Sequence, residues 1–260
     1  MGNTVVIKIG GVTLDSGDTT VEDIVALQKQ GISLVVVHGG GNTVTDWLKR
    51  QGVTTEFVRG ERVTDLPALE VAAAVLTGLV NKEIVAGINC LGGRAVGISG
   101  VDGALIESRA KNREMGYVGT VEKVNREVLD TLLAAGFIPV VAPISLFSID
   151  RPGDAARIIN VNGDPVAGEL AVAIEAAKLI FMTNTAGVCD ASGVLMPRIS
   201  AREAEDMIAE GVISGGMIPK VSACLRALTA GAETRIIDGR DKHALVGEIQ
   251  GKAGGTTIYK

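Results

Sequence analysis

The chain has 260 residues, 47% hydrophobic and 3% aromatic, with 34 glycines and a net charge of −5. That length supports one large α/β domain or two lobes around a substantial core, and with no block of like charge the chain offers nucleic acid no footprint. Cys90, Cys189 and Cys224 stand apart without a CxxC pair, which argues against a disulfide framework or cysteine metal cluster and fits a reducing, cytoplasmic compartment. No basic leader with a cleavage site precedes the first strand. The longest apolar candidate, AAAVLTGLV at 72–80, falls short of the roughly 18 to 20 residues that cross a bilayer, so no membrane partner is expected.

In chain order, TVVIKI at 4–9 predicts a buried strand that carries Lys8 and stops on Gly10 and Gly11. A lysine there either snorkels out at the strand's end or is aimed at an anion. A helical pattern near 20–30 leads to a second strand, SLVVVH at 33–38, then to Gly39, Gly40 and Gly41, which open a helix near 42–51. RGERVT at 59–64 puts Arg62 in a loop, where its fork suits a carboxylate or simply faces solvent. A long apolar helix follows near 67–90, with Pro67 in its tolerant first turn. RAVGIS at 94–99 is a strand ending in the glycine-rich turn GISGVDG, read as architecture with Asp102 in support, and 101–124 reads as a hairpin protruding from the sheet.

The second half continues with a helix near 126–135 and a strand at 137–142, FIPVVA. INVNGD at 159–164 crowds Asn160, Asn162 and Asp164 ahead of a helix near 164–177. Asp164 reads there as an N-cap, and the two amides and carboxylate equally as a polar cradle for a ligand. A strand at 179–183, a helix near 201–210 with a Ser200/Glu203 capping box, and a helix near 216–231 come next. The last of these brings Lys220 into its first turns, where a cation opposes the helix dipole and needs an anionic partner. A strand at 234–238 and a helix near 241–249 complete the pattern.

Strand–helix alternation with continuously apolar strands predicts an α/β fold: a three-layer αβα sandwich around a mostly parallel sheet. Ligands then bind beyond the carboxyl ends of the strands, where the glycines of VHGGGN offer backbone N–H groups at a helix start to an anion. The chain has no G-x-x-x-x-G-K-[ST], lacks the last glycine of the dinucleotide fingerprint, and has no protein-kinase signature. A phosphate flanked by Lys8 and Lys220 would answer the question both lysines raise.

Ten runs in order, KIGG, VHGGGN, RVTD, LVNKEIVA, VGTVEKVN, GFIPVVAPI, NVNGD, TAGV, GGMIPKV and IIDGR, resemble the amino-acid kinase family, in the branch that phosphorylates N-acetyl-L-glutamate. The resemblance implies one kinase domain over 1–260. Its N-terminal lobe, about 1–175, would bind the amino-acid substrate and form a homodimer contact through the 67–90 helix; the rest, about 176–260, would bind ATP. It implies that Lys8 and Lys220 stabilise the transferring phosphoryl group and that Asp164 holds both ammonium groups. Gly10 and Gly11 would face phosphate, and Gly40, Gly41, Arg62 and Asn160 the acetylated amino acid. Thr183, Asn184, Gly187, Ile213, Ser214 and Gly216 would form the nucleotide segments, with Mg²⁺ carried mainly by the nucleotide phosphates and His38 structural.

The chain departs from relatives at Asn184, where they commonly carry aspartate. It also lacks the extra N-terminal helix of arginine-inhibited hexamers, so the resemblance implies a homodimer without strong feedback by arginine. Two rivals stay within the fold: a kinase for carrier-protein-bound α-aminoadipate, which would favour a more basic surface, and a non-catalytic ligand sensor, which would lack a lysine or the aspartate.

Overall fold

A computed structural model describes residues 4–10, 18–58, 61–252 and 254–260. The first half runs β1 (Thr4–Ile9), α1 (Thr20–Lys29), β2 (Ser33–His38), α2 (Gly41–Arg50), β3 (Phe57–Val58), β4 (Glu61–Arg62), α3 (Leu66–Ala73), a π-helical segment Ala74–Val80, and α4 (Asn81–Cys90). It continues with β5 (Ala95–Gly100), β6 (Ile106–Ala110), β7 (Val118–Val124), α5 (Glu127–Ala134), β8 (Ile138–Phe147) and β9 (Ile158–Val161). The second half is α6 (Gly163–Ala173), β10 (Lys178–Thr183), β11 (Arg198–Ser200), α7 (Ala201–Ala209), α8 (Met217–Thr229), β12 (Glu233–Asp238), α9 (Ala244–Ile249) and β13 (Thr256–Tyr259).

Among the described residues, eleven of these strands form one sheet in the order β11-β13-β12-β10-β1-β2-β8-β6-β7-β9, with β5 alongside β8. Its centre, from β12 through β10, β1 and β2 to β8, is parallel. The αβα sandwich expected from the alternation is therefore present. Because side chains alternate across a strand, β1 feeds two separate cores: Val6 one way, Val5, Ile7 and Ile9 the other. In β2, Val35 and Val37 join the first core and Leu34 and Val36 the second. Helices α5, α6, α7 and α8 cover the first core; α1, α2, α3, α4 and α9 cover the second. The same parity aims Lys8 at the α6/α8 layer and His38 at the opposite one.

Several short strands were not legible as such. β3, β4, β9, β11 and β13 have two to four residues each, too few for a period-2 pattern to register. Arg62 thus sits in a small antiparallel ladder, with Phe57 opposite it, rather than in open loop. The 101–124 hairpin does not protrude: β6 and β7 pair antiparallel and are joined to the sheet through β8 and β9. Asp65 caps α3 by accepting from the Ala68 N–H at 2.9 Å, and Ser200 and Glu203 form the expected capping box.

The helical run Leu66–Cys90 is continuous, 25 residues long and apolar enough by length and composition to cross a membrane, although polar residues interrupt its apolar runs. Its buried side, including Leu69, Leu76, Ile84 and Ile88, packs into the protein, so it reads as a core helix.

At the junction of its π-helical segment with α4 lies a buried polar node. Asn81 and His38 are each 1% exposed. The Asn81 amide donates to the Val140 carbonyl at 2.8 Å and to His38 Nε2 at 3.2 Å, while His38 Nδ1 lies 2.7 Å from the Gly39 carbonyl. Only the neutral ring with its proton on Nδ1 satisfies both contacts. Burial pushes the His38 pKa down from 6.5 to about 4, helped by the nearby charges of Lys8 and Lys82. The unfolded chain binds this proton more readily than the folded one, so stability from this site is complete above pH 6.5 and is lost as pH falls from 6.5 toward 4. Denaturant midpoints measured at pH 7.5 and pH 5 are expected to drop for the parent protein, and to drop less for His38→Asn.

Candidate active site

Lys8 is the penultimate residue of β1, the strand held between β10 and β2. Across the first core, α6 begins at Gly163, capped by the Asn162 side chain, which accepts from the Asp164 N–H at 2.9 Å. The cap is Asn162, not Asp164 as the spacing suggested, and this frees the Asp164 carboxylate to point into the protein. A side chain at Gly163 would crowd the His38 carbonyl at 3.1 Å and the Lys8 Cε at 3.4 Å. Glycine there lets the lysine stem pass the helix start.

Helix α8 reaches the same place by a second close approach. A Cβ at Gly168 would lie 3.0 Å from that of Ala223, so α6 and α8 lie almost backbone to backbone. About one turn earlier on each helix stand Asp164 and Lys220. Lys8 Nζ lies 2.7 Å from Asp164 Oδ1, and Lys220 Nζ lies 2.8 Å from Asp164 Oδ2. Lys220 also donates to the Gly216 carbonyl at 3.1 Å. The helix-start cation that needed an anion has found one.

Electrostatics make this group unusual. The side chains of Lys8, Asp164 and Lys220 are only 8%, 3% and 15% exposed. Burial alone would raise the Asp164 pKa, but the charges and hydrogen bonds of Lys8 and Lys220 outweigh it and hold the carboxyl below its ordinary range. Lys8 is pulled below the usual lysine value by burial, with the charge of Lys220 adding to that pull and Asp164 opposing it. Two cations around one carboxylate leave one positive charge in excess in a low-dielectric place. That arrangement favours a second anion.

Next to Lys8, β2 ends in the glycine loop. Gly40 has φ 153°, which strains any other residue, and a Cβ on it would meet Leu76 Cδ2 at 2.7 Å, so the leucine would have to shift as well. Gly41 begins α2. Arg62 reaches this helix start, donating to the Gly41 carbonyl at 3.2 Å, to Thr45 Oγ1 at 2.6 Å and to Thr55 Oγ1 at 2.7 Å, with its guanidinium 4.6 Å from the Phe57 ring centre. Asn160 is tied to the same region through the backbone: its N–H donates to the Tyr117 carbonyl, and the Tyr117 N–H to that of Thr64.

On the other side of β1, parallel register sets Met182 beside Ile9, placing Thr183 and Asn184 just past the level of Lys8. Gly10 follows β1, where a Cβ would press on the Met182 carbonyl at 3.2 Å. Gly216 caps α8 and the Ser214 carbonyl accepts from the Met217 N–H, so both stand at the helix start that carries Lys220. Two expected nucleotide residues have structural employment: the Ile213 side chain lies in the core, and Gly187 packs against Thr256 with φ 147°. Gly11 lies outside the described residues. Thr45, Thr55 and the Gly168–Ala223 approach went unread, and Asn162 was read as part of a polar cradle but not as the cap; for the helix approach the one signal was a glycine inside a helical pattern.

Comparison with known proteins places this geometry. Residues 3–238 match the amino acid kinase family. An acetylglutamate kinase of Dehalococcoides mccartyi strain 195 is 49% identical over 254 residues, covering 98% of this chain and 93% of that one. An acetylglutamate kinase of Nostoc sp. PCC 7120 is 44% identical, covering 95% and 84%. Among solved structures, an N-acetylglutamate synthase from Neisseria gonorrhoeae, complexed with coenzyme A and N-acetyl-glutamate, superposes on all of this chain and 60% of its own with a TM-score of 0.84 at 26% identity. A carbamate kinase from Giardia lamblia, bound to AMP-PNP, shares the fold with a TM-score of 0.73 over 100% of this chain and 99% of its own, at 18% identity. By sequence and by fold, the chain belongs to the amino acid kinase family.

Proposed function

We propose that the protein transfers the γ-phosphoryl group of ATP to the side-chain carboxylate of N-acetyl-L-glutamate, giving N-acetyl-L-glutamyl 5-phosphate and ADP, a step of arginine biosynthesis in the cytoplasm. The observation that carries this reading is the buried Lys8–Asp164–Lys220 group with its excess positive charge. The acceptor follows from the acetylglutamate kinases to which the chain is 49% and 44% identical over nearly its full length.

The reaction brings two anions together, a carboxylate and a terminal phosphate. A carboxylate oxygen forms a bond to γ-phosphorus as the bond from phosphorus to the β,γ-bridging oxygen breaks, and the electron pair leaves with ADP. The nucleophile is already ionised near neutral pH, so no protein base is required. What the protein supplies is position and charge. Lys8 and Lys220 neutralise the moving phosphoryl group, and Asp164 holds both ammonium groups where they are needed. Gly10, Gly40 and Gly41 offer close backbone approach, with Gly11 proposed beside them.

Arg62 and Asn160 hold the α-carboxylate and acetamido groups, the guanidinium supplying a bidentate fork. Thr183, Asn184, Gly187, Ile213, Ser214 and Gly216 line the nucleotide end, Ile213 and Gly187 through backbone. Mg²⁺ would arrive on the nucleotide phosphates and spread their charge. Among the described residues no group of three His, Cys, Asp or Glu is placed to hold a metal, so no step by a side chain is assigned to it. In this reading the lobe of about 1–175 takes the amino acid and that of about 176–260 takes ATP. The proposed homodimer contact is the outer side of the Leu66–Cys90 helix, where Leu66 and Leu79 are exposed.

An ADP-release assay with acetylglutamate, glutamate, aspartate and α-aminoadipate as acceptors is expected to give highest turnover on acetylglutamate; a different ranking overturns the acceptor. Lys8→Ala and Lys220→Ala are each expected to lower kcat about 100-fold or more while keeping a cooperative unfolding transition. Turnover at the parent rate in either would remove the phosphoryl-transfer role. Asp164→Ala leaves two ammonium groups without their carboxylate, and a loss of about 3–5 kcal/mol in denaturant unfolding is expected with the loss of activity. Arg62→Ala is expected to raise KM for acetylglutamate and leave KM for ATP nearly unchanged; the reverse pattern would move Arg62 to the nucleotide end.

A further inference from the structure

The His38–Asn81 node is buried, polar and unused by the chemistry above, yet it touches the glycine loop that the chemistry needs. His38 Nδ1 lies 2.7 Å from the carbonyl of the next residue, Gly39. With no cis peptide bond in the described chain, the Gly39–Gly40 unit is planar and trans, so its N–H points opposite to its carbonyl. Drawing the carbonyl back to the buried ring therefore turns the Gly40 N–H away from the ring. Among the described residues neither the Gly40 nor the Gly41 N–H has a protein acceptor, while the Gly39 N–H is taken by the Ile9 carbonyl at 3.0 Å.

The ring itself is not free to turn. Asn81 donates to His38 Nε2 and to the Val140 carbonyl, and its own Oδ1 accepts from Lys82 Nζ at 3.1 Å, with Lys82 also bound to the Gly97 carbonyl at 3.1 Å. A Cβ at Gly97 would lie 1.9 Å from Asn81 Oδ1, so β5 keeps a glycine where the amide sits. The π-helical segment completes the seat, since Leu76 and Val80 occupy the space a side chain at Gly40 would need. The loop is thus held from beneath by a polar contact from His38, which the helical run fixes through Asn81, and by an apolar contact from that run itself.

We propose that His38, fixed by Asn81, is a positioning residue for phosphoryl transfer: it orients the Gly39–Gly40 peptide so that the Gly40 N–H is presented to the reacting anions. This rests on the kinase reading above. A misdirected donor forfeits stabilisation of the developing charge, and displacement of about 1 Å in such a site costs up to about 100-fold in rate.

Asparagine places its amide nitrogen where His38 has Nδ1, whereas leucine fills the space without a donor. His38→Leu is expected to lower kcat about tenfold or more while moving both KM values much less, and His38→Asn to restore much of that kcat. Asn81→Ala, which frees the ring but keeps it, is expected to fall between them. Melting temperatures measured alongside separate the two explanations. Variants that lose stability but keep the parent kcat, or a leucine variant no worse than the asparagine one, would overturn the positioning role.

Should His38→Leu fail to fold, the parent protein still decides. The chain has two histidines, so ¹⁵N shifts of the ring nitrogens are assigned by comparison with His243→Asn. A neutral His38 protonated on Nδ1 at pH 7 is expected. Protonation on Nε2, or a charged ring, would overturn the proposal whether or not the enzyme is active. The Nδ1 form in a protein without activity on acetylglutamate would sink the acceptor assignment and leave the loop geometry standing.

Discussion

One carboxylate between two ammonium groups sets the terms for the rest of the molecule. Asp164 is 2% exposed and meets a strand lysine on one oxygen and a helix lysine on the other. Burying any one of these charges alone would be prohibitive, and burying all three demands that β1, α6 and α8 converge within a fraction of an ångström. The chain meets that demand by leaving side chains out. Gly163 clears the path of the Lys8 stem, and Gly168 lets α6 lie against Ala223 of α8. Helix dipole and charge agree at α6, whose N-terminal turn carries the acidic residue, and conflict at α8, whose N-terminal turn carries the basic one. The conflict at α8 is resolved by the carboxylate from α6.

This dependence explains what could be read from the residues. The long strands announced themselves because both faces are covered and their residues are almost continuously apolar. Lys8 and Lys220 announced themselves by being wrong for their places: a cation on a buried strand, a cation at a helix start. Asp164 was ambiguous, since a carboxylate ahead of a helix has an ordinary use as a cap; only three dimensions reveal that Asn162 does the capping and Asp164 does not. The partners of Arg62 come from a helix start at Gly41 and Thr45 and from Thr55, and no spacing in the chain announces that meeting. The short edge strands escaped for the plainer reason that three residues carry no period.

The division of labour between the faces of the sheet is equally consequential. Lys8 and His38 lie at the ends of neighbouring parallel strands, with Ile9 rather than Lys8 in register with His38. Their opposite parity sends the lysine into the α6/α8 layer and the histidine into the layer of the 66–90 helix. The glycine loop follows directly from His38, so it starts where the two layers meet, with the charged group in one and a neutral hydrogen-bonded node in the other. A carbamate kinase of 18% identity shares the fold with this chain, and on a shared fold the chemistry is decided by the loops and caps rather than by the sheet.

The π-helical segment Ala74–Val80 carries a consequence of its own. Each residue of an α-helix advances the azimuth by about 100°, so a wide stretch of this kind shifts the face presented by everything downstream of it. Were the stretch to tighten into α-helix without losing a residue, everything beyond it would turn by roughly 100°, Asn81 would swing away from His38 and Val80 would approach its buried place. The phase of that one helix is therefore not a detail of packing but a setting, and a change in its winding would be felt at the far end of β2.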